Sequence, residues 1–223
     1  MGLPGNRIIP SHLKTDSEIV KTFENIVTPH LSDNMGRHVG LRGLTRYNKR
    51  GKLLGTALTV KCCPGDNLYV YKAMTMLQPG QVLVIAGGGA TDNAIIGELI
   101  KLQAEAWGCV GFVVDGAIRD VDSFEDMPLY ARAVTHCGPY KNGPGEINVP
   151  VSIGGHVVNP GDIIVGDEDG VVSFSPEYAE DLLVRAHATA EKEQKIMAEI
   201  ATGTRDPKWL NAVLEANGLG VKN

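Results

Sequence analysis

Two short runs of unbroken apolar residues decide what this chain can become. Val82–Ala86 reads VLVIA, and Gly111–Asp115 carries Phe112, Val113 and Val114 in succession. A strand with one wet face alternates apolar and polar residues. A run without alternation is buried on both faces, as in a parallel sheet covered by helices. Parallel neighbours need a crossover of about a dozen residues or more. Here Gly87-Gly88-Gly89 supplies a loop, and the following segment reads as a helix to about Trp107. The pattern predicts a single-domain α/β sandwich with a parallel βαβ core.

The flanks predict the rest. Thr15-Asp16-Ser17-Glu18 has the form of a capping box, and Ile19, Val20, Phe23, Ile26 and Val27 recur at helical spacing, so a helix is expected over 16–28. A short helix is expected over Ser32–Met35, a strand over Leu53–Cys62, and a helix over 67–77. From 147 to 175, short β-branched segments alternate with turns such as Asn159-Pro160-Gly161-Asp162 and Asp167-Glu168-Asp169-Gly170, which marks a compact β region. Ser175-Pro176 opens a long helix that Gly203 stops. Its first half carries an apolar stripe and its middle, His187–Lys195, has no large apolar side chain. A helix that loses its core stripe and continues crosses solvent or lies on another subunit. Asp206-Pro207 starts a last helix that ends at Gly218.

Composition narrows the function. A formal net charge of −5 argues against a general nucleic-acid binder. No apolar run approaches the roughly 20 residues of a membrane helix, and the first residues show no signal-peptide pattern. The four cysteines, Cys62, Cys63, Cys109 and Cys137, form no CxxC pair and read as reduced thiols of a cytoplasmic protein.

Ligands in open α/β sheets bind beyond the carboxyl ends of the strands. Two such ends are expected: the Gly-rich loop Gly87–Asn93, and Asp115-Gly116-Ala117-Ile118-Arg119-Asp120. Gly87, Gly88, Gly89 and Gly97 match no nucleotide-binding spacing. The loop is therefore either a tight turn or a small-anion cradle of backbone N–H groups at a helix start. Arg119 offers a planar fork for a carboxylate, and Asp120 a hard oxygen for a divalent cation. Asp66 and Asn67 follow Pro64-Gly65, where a turn is the default reading and lining the site the alternative.

Three stretches then carry a resemblance: CPGDN at Cys63–Asn67, GELIKLQAEAWGCVGFVVDGAIRDVD at Gly97–Asp122, and NVPVSIGGHVVNPGDIIVGDEDGVVSF at Asn148–Phe174. Together they resemble the RraA-like family, and within it the 4-hydroxy-4-methyl-2-oxoglutarate / 4-carboxy-4-hydroxy-2-oxoadipate aldolases. The resemblance spans roughly residues 17–203 of a single 1–223 domain, with 1–16 as an N-terminal extension and 204–223 as a helical tail. The family's aldolase signature is an acidic residue, twenty residues, then Arg-Asp; here it reads Glu98, Leu99–Ile118, Arg119-Asp120. Glu98 stands where many family aldolases have aspartate.

The resemblance implies a class II pyruvate aldolase with oxaloacetate decarboxylase side activity. It implies Mg²⁺ or Mn²⁺ held by Asp120 largely through waters, and Arg119 on the pyruvoyl group of a small 2-oxo acid. Gly97 and the backbone N–H groups of Leu99 and Ile100 would bind that same group, which requires the helix to start near Gly97–Glu98, later than the Asn93 start that periodicity allows. Glu98 would bond a metal water or the arginine. A glutamate from a neighbouring subunit's C-terminal helix would approach the metal; position relative to Gly203 favours Glu193 over Glu191. The implied assembly is a homotrimer or homohexamer, without nucleic acid or membrane. The alternative is a non-catalytic, RraA-like protein that regulates a ribonuclease by contact. An older methyltransferase label in the family lacks support, because G-x-G-x-x-G is missing.

Overall fold

The computed structural model describes residues 2–10 and 17–220. In chain order, Arg7–Ile8 (β1) precedes two helices, Ser17–Lys21 (α1) and Thr28–Asn34 (α2). Thr45–Arg46 (β2), Leu53–Cys62 (β3), Leu68–Met74 (α3), Gln81–Ala86 (β4), Ala94–Ile96 (β5), Glu98–Ala106 (α4), Cys109–Ile118 (β6) and Leu129–Val134 (β7) build the centre. Gly145–Ile147 (β8), Val151–Ile153 (β9), His156–Val158 (β10), Ile163–Asp167 (β11) and Gly170–Phe174 (β12) follow, then Ala179–Ala201 (α5) and Lys208–Ala216 (α6).

β3, β4, β6 and β7 pair in parallel, with Leu58, Leu83 and Phe112 in one row and Val60, Ile85 and Val114 in another. Every residue of β4 is buried, as its unbroken apolar run requires. Side chains alternate between two cores. Leu83, Ile85, Phe112 and Val114 pack with Val70, Ala73 and Met74 of α3 and Ile100 and Ala104 of α4. Val82, Val84 and Val113 face the opposite way and pack with Val151, Ile153 and Val158 of the β9–β10 hairpin. Each such fully buried side chain contributes about 1.5–3 kcal/mol. A third cluster joins Phe23, Ile26 and Leu31 to Leu182 and Ala186 of α5 over Val165 and Phe174.

β3 is the seam of the molecule. One edge pairs with β4. Its other edge is divided, with β11 antiparallel along Leu53–Thr56 and β8 antiparallel along Val60–Cys62. Thr59 closes the gap between them: its Oγ donates to the Val149 carbonyl at 2.7 Å, and its own carbonyl accepts the Asn148 N–H.

Several expectations hold. The Asp167–Gly170 turn joins β11 to β12 as a hairpin. The long helix is buried only at Ala179, Leu182 and Ala186, and Gly203 follows it at φ 68°. α6 forms as expected, with no buried residue.

Others are corrected. The helix expected over 16–28 stops at Lys21; Thr15 and Asp16 of its capping pattern lie outside the described residues. The carbonyls of Phe23, Glu24 and Ile26 all accept hydrogen bonds from the Lys52 ammonium, and the backbone of this stretch is held in three-residue turns, such as Ile26 N–H to the Phe23 carbonyl, rather than in an α-helical ladder. Desolvation in that nest pushes the Lys52 pKa down. A fresh helix then begins at Thr28 with Pro29 in its first turn, so the helix expected at Ser32–Met35 forms earlier. The helix expected over 67–77 ends at Met74. The strand expected at 111–115 runs on to Ile118, because the short β5 pairs beside Ala117 and Ile118.

Candidate active site

The corner where β5, α4 and β6 meet is made by one glycine. Gly97 follows β5 and caps α4 in an extended conformation (φ −154°, ψ −166°). Any residue can adopt that backbone, so the glycine is there for space. A Cβ at Gly97 would lie 2.5 Å from Asp120 Oδ2 and 2.9 Å from Arg119 Cγ. Without it, the end of β6 closes directly onto the start of the helix.

The first N–H groups of a helix have no partner inside it. In α4 the first internal bond runs from Lys101 N–H to the Gly97 carbonyl. The Glu98 N–H above it donates to Asp120 Oδ2 at 3.1 Å. A carboxylate at a helix N-terminus is stabilised by the helix dipole by about 0.3–1 kcal/mol. The Leu99 and Ile100 N–H groups make no hydrogen bond among the described residues, and Leu99 is 72% exposed. The late helix start required by the sequence argument is the one observed.

Arg119 is fixed through its backbone, whose N–H donates to the Ile96 carbonyl at 3.0 Å. Its Nε lies 3.6 Å from Asp120 Oδ2, and both side chains remain nearly half exposed (42% and 47%). Asp120 turns the chain in the left-handed region, at φ 54°. Its carbonyl accepts both the N–H and the hydroxyl of Ser123, and its Oδ1 makes no bond among the described residues.

A pocket opens on this corner, lined by Gly97, Leu99, Ile100, Arg119 and Asp120. Its far side is Asn67, Tyr71, Pro139 and Lys141. Asn67 thus lines the pocket while its neighbour holds the wall in place. The buried Asp66 carboxylate accepts the N–H groups of Leu68, Asn142 and Gly143. The wall segment is also tied down by Tyr140 N–H to the Gly65 carbonyl and by Asn93 Nδ2 to the Gly138 carbonyl. Sequence reasoning missed Tyr71, Pro139 and Lys141. Tyr71 stands on α3, and Pro139 and Lys141 are brought here by bonds to Gly65, Asp66 and Asn93, which lie far back in the chain and leave no local pattern to read.

The Gly87–Gly89 loop is a turn rather than an anion cradle. Gly87 and Gly89 both donate their N–H groups to the Asp115 carbonyl, and no helix starts there. The Asp115 carboxylate is itself held by Arg132 at 2.7 Å, so neither is free for a ligand. Burial pushes the Cys62 thiol up to about 12 and that of Cys109 up to about 11, which removes both as nucleophiles near neutral pH.

Glu193 lies away from this corner within its own chain. Its Oε2 pairs with His30 Nε2 at 2.8 Å where α5 crosses α2, and its side chain is half exposed. Glu191 is also exposed on α5.

The metal question turns on the donor set. Among the described residues, no group of three or more His, Cys, Asp or Glu side chains converges as a ligand cluster. Mg²⁺ keeps several waters and needs only one or two carboxylates. Asp120, with one oxygen spare, fits such a hydrated hard cation and does not suit a thiolate- or imidazole-bound metal. Among the described residues, no helix is long and apolar enough to cross a membrane.

Comparison with known proteins identifies the family and the fold. The model of the RraA-like family, described as Aldolase/RraA, matches residues 28–173. A protein of Halalkalibacterium halodurans named "Putative 4-hydroxy-4-methyl-2-oxoglutarate aldolase" is 38% identical over 78% of this chain and 84% of its own. An uncharacterized protein from Pseudomonas syringae pv. tomato superposes with a TM-score of 0.78 at 27% identity, covering 88% of this chain and 95% of that one. The RNA-processing inhibitor RraA of Thermus thermophilus superposes with a TM-score of 0.61 at 31% identity, covering 67% and 92%. With the family model spanning residues 28–173 and a relative 38% identical over most of both chains, the chain belongs to the RraA-like family.

Proposed function

We propose that this chain is a divalent-metal-dependent pyruvate aldolase. It cleaves 4-hydroxy-4-methyl-2-oxoglutarate to two pyruvates, or 4-carboxy-4-hydroxy-2-oxoadipate to pyruvate and oxaloacetate, and it decarboxylates oxaloacetate as a side reaction. The observation that carries this reading is the corner itself. Glu98 N–H on Asp120 sets a guanidinium, a carboxylate and two open N–H groups around one small pocket. The name of the Halalkalibacterium halodurans relative points to the same substrate class.

The hard part of a retro-aldol cleavage is negative charge on the 2-oxo oxygen as C3–C4 breaks. The bonding pair passes into an enolate of pyruvate, the 4-hydroxyl proton leaves to water, and C3 later takes a proton from water. Fixed positive charge at the enolate oxygen lowers this barrier more than the ground state. Arg119 supplies that charge, and the Leu99 and Ile100 N–H groups hold the pyruvoyl carboxylate. Asp120 would hold Mg²⁺ or Mn²⁺, which supplies Lewis-acid polarisation when bound. Glu98, the first residue of α4, stands beside the pocket and would bond a metal water or the arginine.

The decisive assay is pyruvate release from 4-carboxy-4-hydroxy-2-oxoadipate and from oxaloacetate. EDTA abolishes it and added Mg²⁺ or Mn²⁺ restores it; activity that survives thorough chelation removes the metal role from Asp120. The second reading, regulation of a ribonuclease by contact, rests on the likeness to the Thermus inhibitor. It gains if no pyruvate is released from either substrate.

The chain assembles as a trimer or a dimer of trimers. Support comes from the outer half of α5, which has no buried residue beyond Ala186. A neighbouring copy's Glu193 would exchange His30 for the metal's water shell. Light scattering that gives a stable monomer at micromolar concentration refutes the assembly.

A further inference from the structure

One buried polar atom in the pocket is left over. Asn67 is 2% exposed, and its Oδ1 is the one buried side-chain oxygen or nitrogen without a hydrogen-bond partner among the described residues. An unpartnered buried acceptor costs about 1–3 kcal/mol, so each such group asks for an explanation. Its usual work does not provide one. Asn67 stands at the N-cap of α3, where an asparagine oxygen ordinarily accepts an N–H of the first turn. Here the side chain makes no capping bond. The Leu68 N–H is taken by Asp66 instead. The amide nitrogen of Asn67 donates to the Ile95 carbonyl at 3.0 Å, which fixes the side chain against β5, one residue before the strand end that leads into Gly97. The pocket that Asn67 lines is the one that holds Arg119 and Asp120.

We propose that Asn67 Oδ1 accepts a hydrogen bond from the 4-hydroxyl of the substrate and so selects 4-hydroxy-2-oxo acids over 2-oxo acids that lack that group. This rests on the aldolase reading of the site. The other pocket groups are poor matches for a hydroxyl donor. Arg119 and Lys141 are cations that can only donate, and the open N–H groups of α4 also donate. Asp120 is committed to the Glu98 N–H and the cation, and the Tyr71 hydroxyl donates as well as accepts; Asn67 Oδ1 is the neutral, pure acceptor that is buried in the lining without a partner. It cannot take the hydroxyl proton, which leaves to water during cleavage; it orients the hydroxyl before that step. The bond is made in the bound substrate and given up as the proton leaves, so its loss raises KM without lowering kcat.

The test uses the metal-loaded enzyme and two substrates, 4-hydroxy-4-methyl-2-oxoglutarate and oxaloacetate, which has no 4-hydroxyl. The readout is the ratio of their KM values, or of a competitive Ki for a compound that is not turned over. Measured in one preparation, that ratio is independent of the fraction folded. Asn67→Ala loses both the bond to Ile95 and the acceptor oxygen. Asn67→Asp loses the first and keeps the second. The ratio rises about 10-fold in Asn67→Ala, since a site built to bond a hydroxyl discriminates through it. It stays within about twofold of wild type in Asn67→Asp, where the added charge weakens both anionic substrates together. A ratio unmoved in Asn67→Ala, or moved equally in both variants, overturns the role of Asn67 and leaves the aldolase reading standing. Wild-type enzyme that neither turns over nor binds either compound overturns the reading of the site itself.

Discussion

Gly87–Gly89 and Gly97 sit at the same carboxyl edge of the same sheet, and they do opposite things. The triplet has left-handed glycines, Gly88 at φ 71° and Gly89 at φ 73°, and a Cβ on either would meet nothing closer than 3.8 Å. Those positions need conformation and have room to spare. Gly97 has an ordinary extended backbone and no room at all. The triplet turns the N–H groups of Gly87 and Gly89 onto the Asp115 carbonyl, whereas the Gly97 corner leaves the successive N–H groups of Leu99 and Ile100 open toward a pocket. Glycine content therefore does not locate a site; unspent hydrogen-bonding groups do.

Three substitutions press on this contrast. The largest effect belongs to Arg119→Lys, which keeps the charge and loses the planar fork. We expect kcat on oxaloacetate to fall about 100-fold, the scale of one lost oxyanion donor, with a melting temperature close to wild type, since a half-exposed ion pair contributes little to the fold. An unchanged kcat takes Arg119 out of the chemistry, and a collapsed melting temperature makes it structural. Gly97→Ala comes next. Its Cβ must push Asp120 and Arg119 aside, so kcat/KM should fall by roughly 10-fold or more, since small misplacements of reacting groups are costly. Stability should fall with it, by the roughly 1–3 kcal/mol of an overpacked site. Full activity in Gly97→Ala would mean that the tight corner is dispensable. Gly89→Ala is the smallest. It should cost about 1–2 kcal/mol in a melt for the left-handed backbone and leave kcat where it was. A matching loss of activity would return the triplet to the site.

Much of this was open to reading in the residues. The βαβ strands, the β11–β12 hairpin and α5 announce themselves because apolar periodicity, turn chemistry and caps are local signals. The late start of α4 needed the resemblance as well, since periodicity alone allowed it to begin at Asn93. What escaped is non-local or too short. Nothing near Phe23 says that Lys52, far along the chain, will claim the carbonyls of its helix. β5 has three residues, too few to show a period. Lys141 reaches the pocket only because backbone bonds anchor the segment before it. Asn67 was readable as a turn residue, but its idle oxygen became visible only once its neighbours were in place.

Asp120 occupies the left-handed region, where glycine or asparagine rests more easily and an aspartate carries about 1–2 kcal/mol of backbone cost. Asparagine would keep an acceptor for the Glu98 N–H and give up the charge, and with it the roughly 0.3–1 kcal/mol that the start of α4 adds. The backbone relief and the lost dipole term are of similar size, so stability alone does not hold aspartate at this codon. A lineage that ceased to use the site would be free to lose that residue, and its replacement would leave the fold and its stability much as they were.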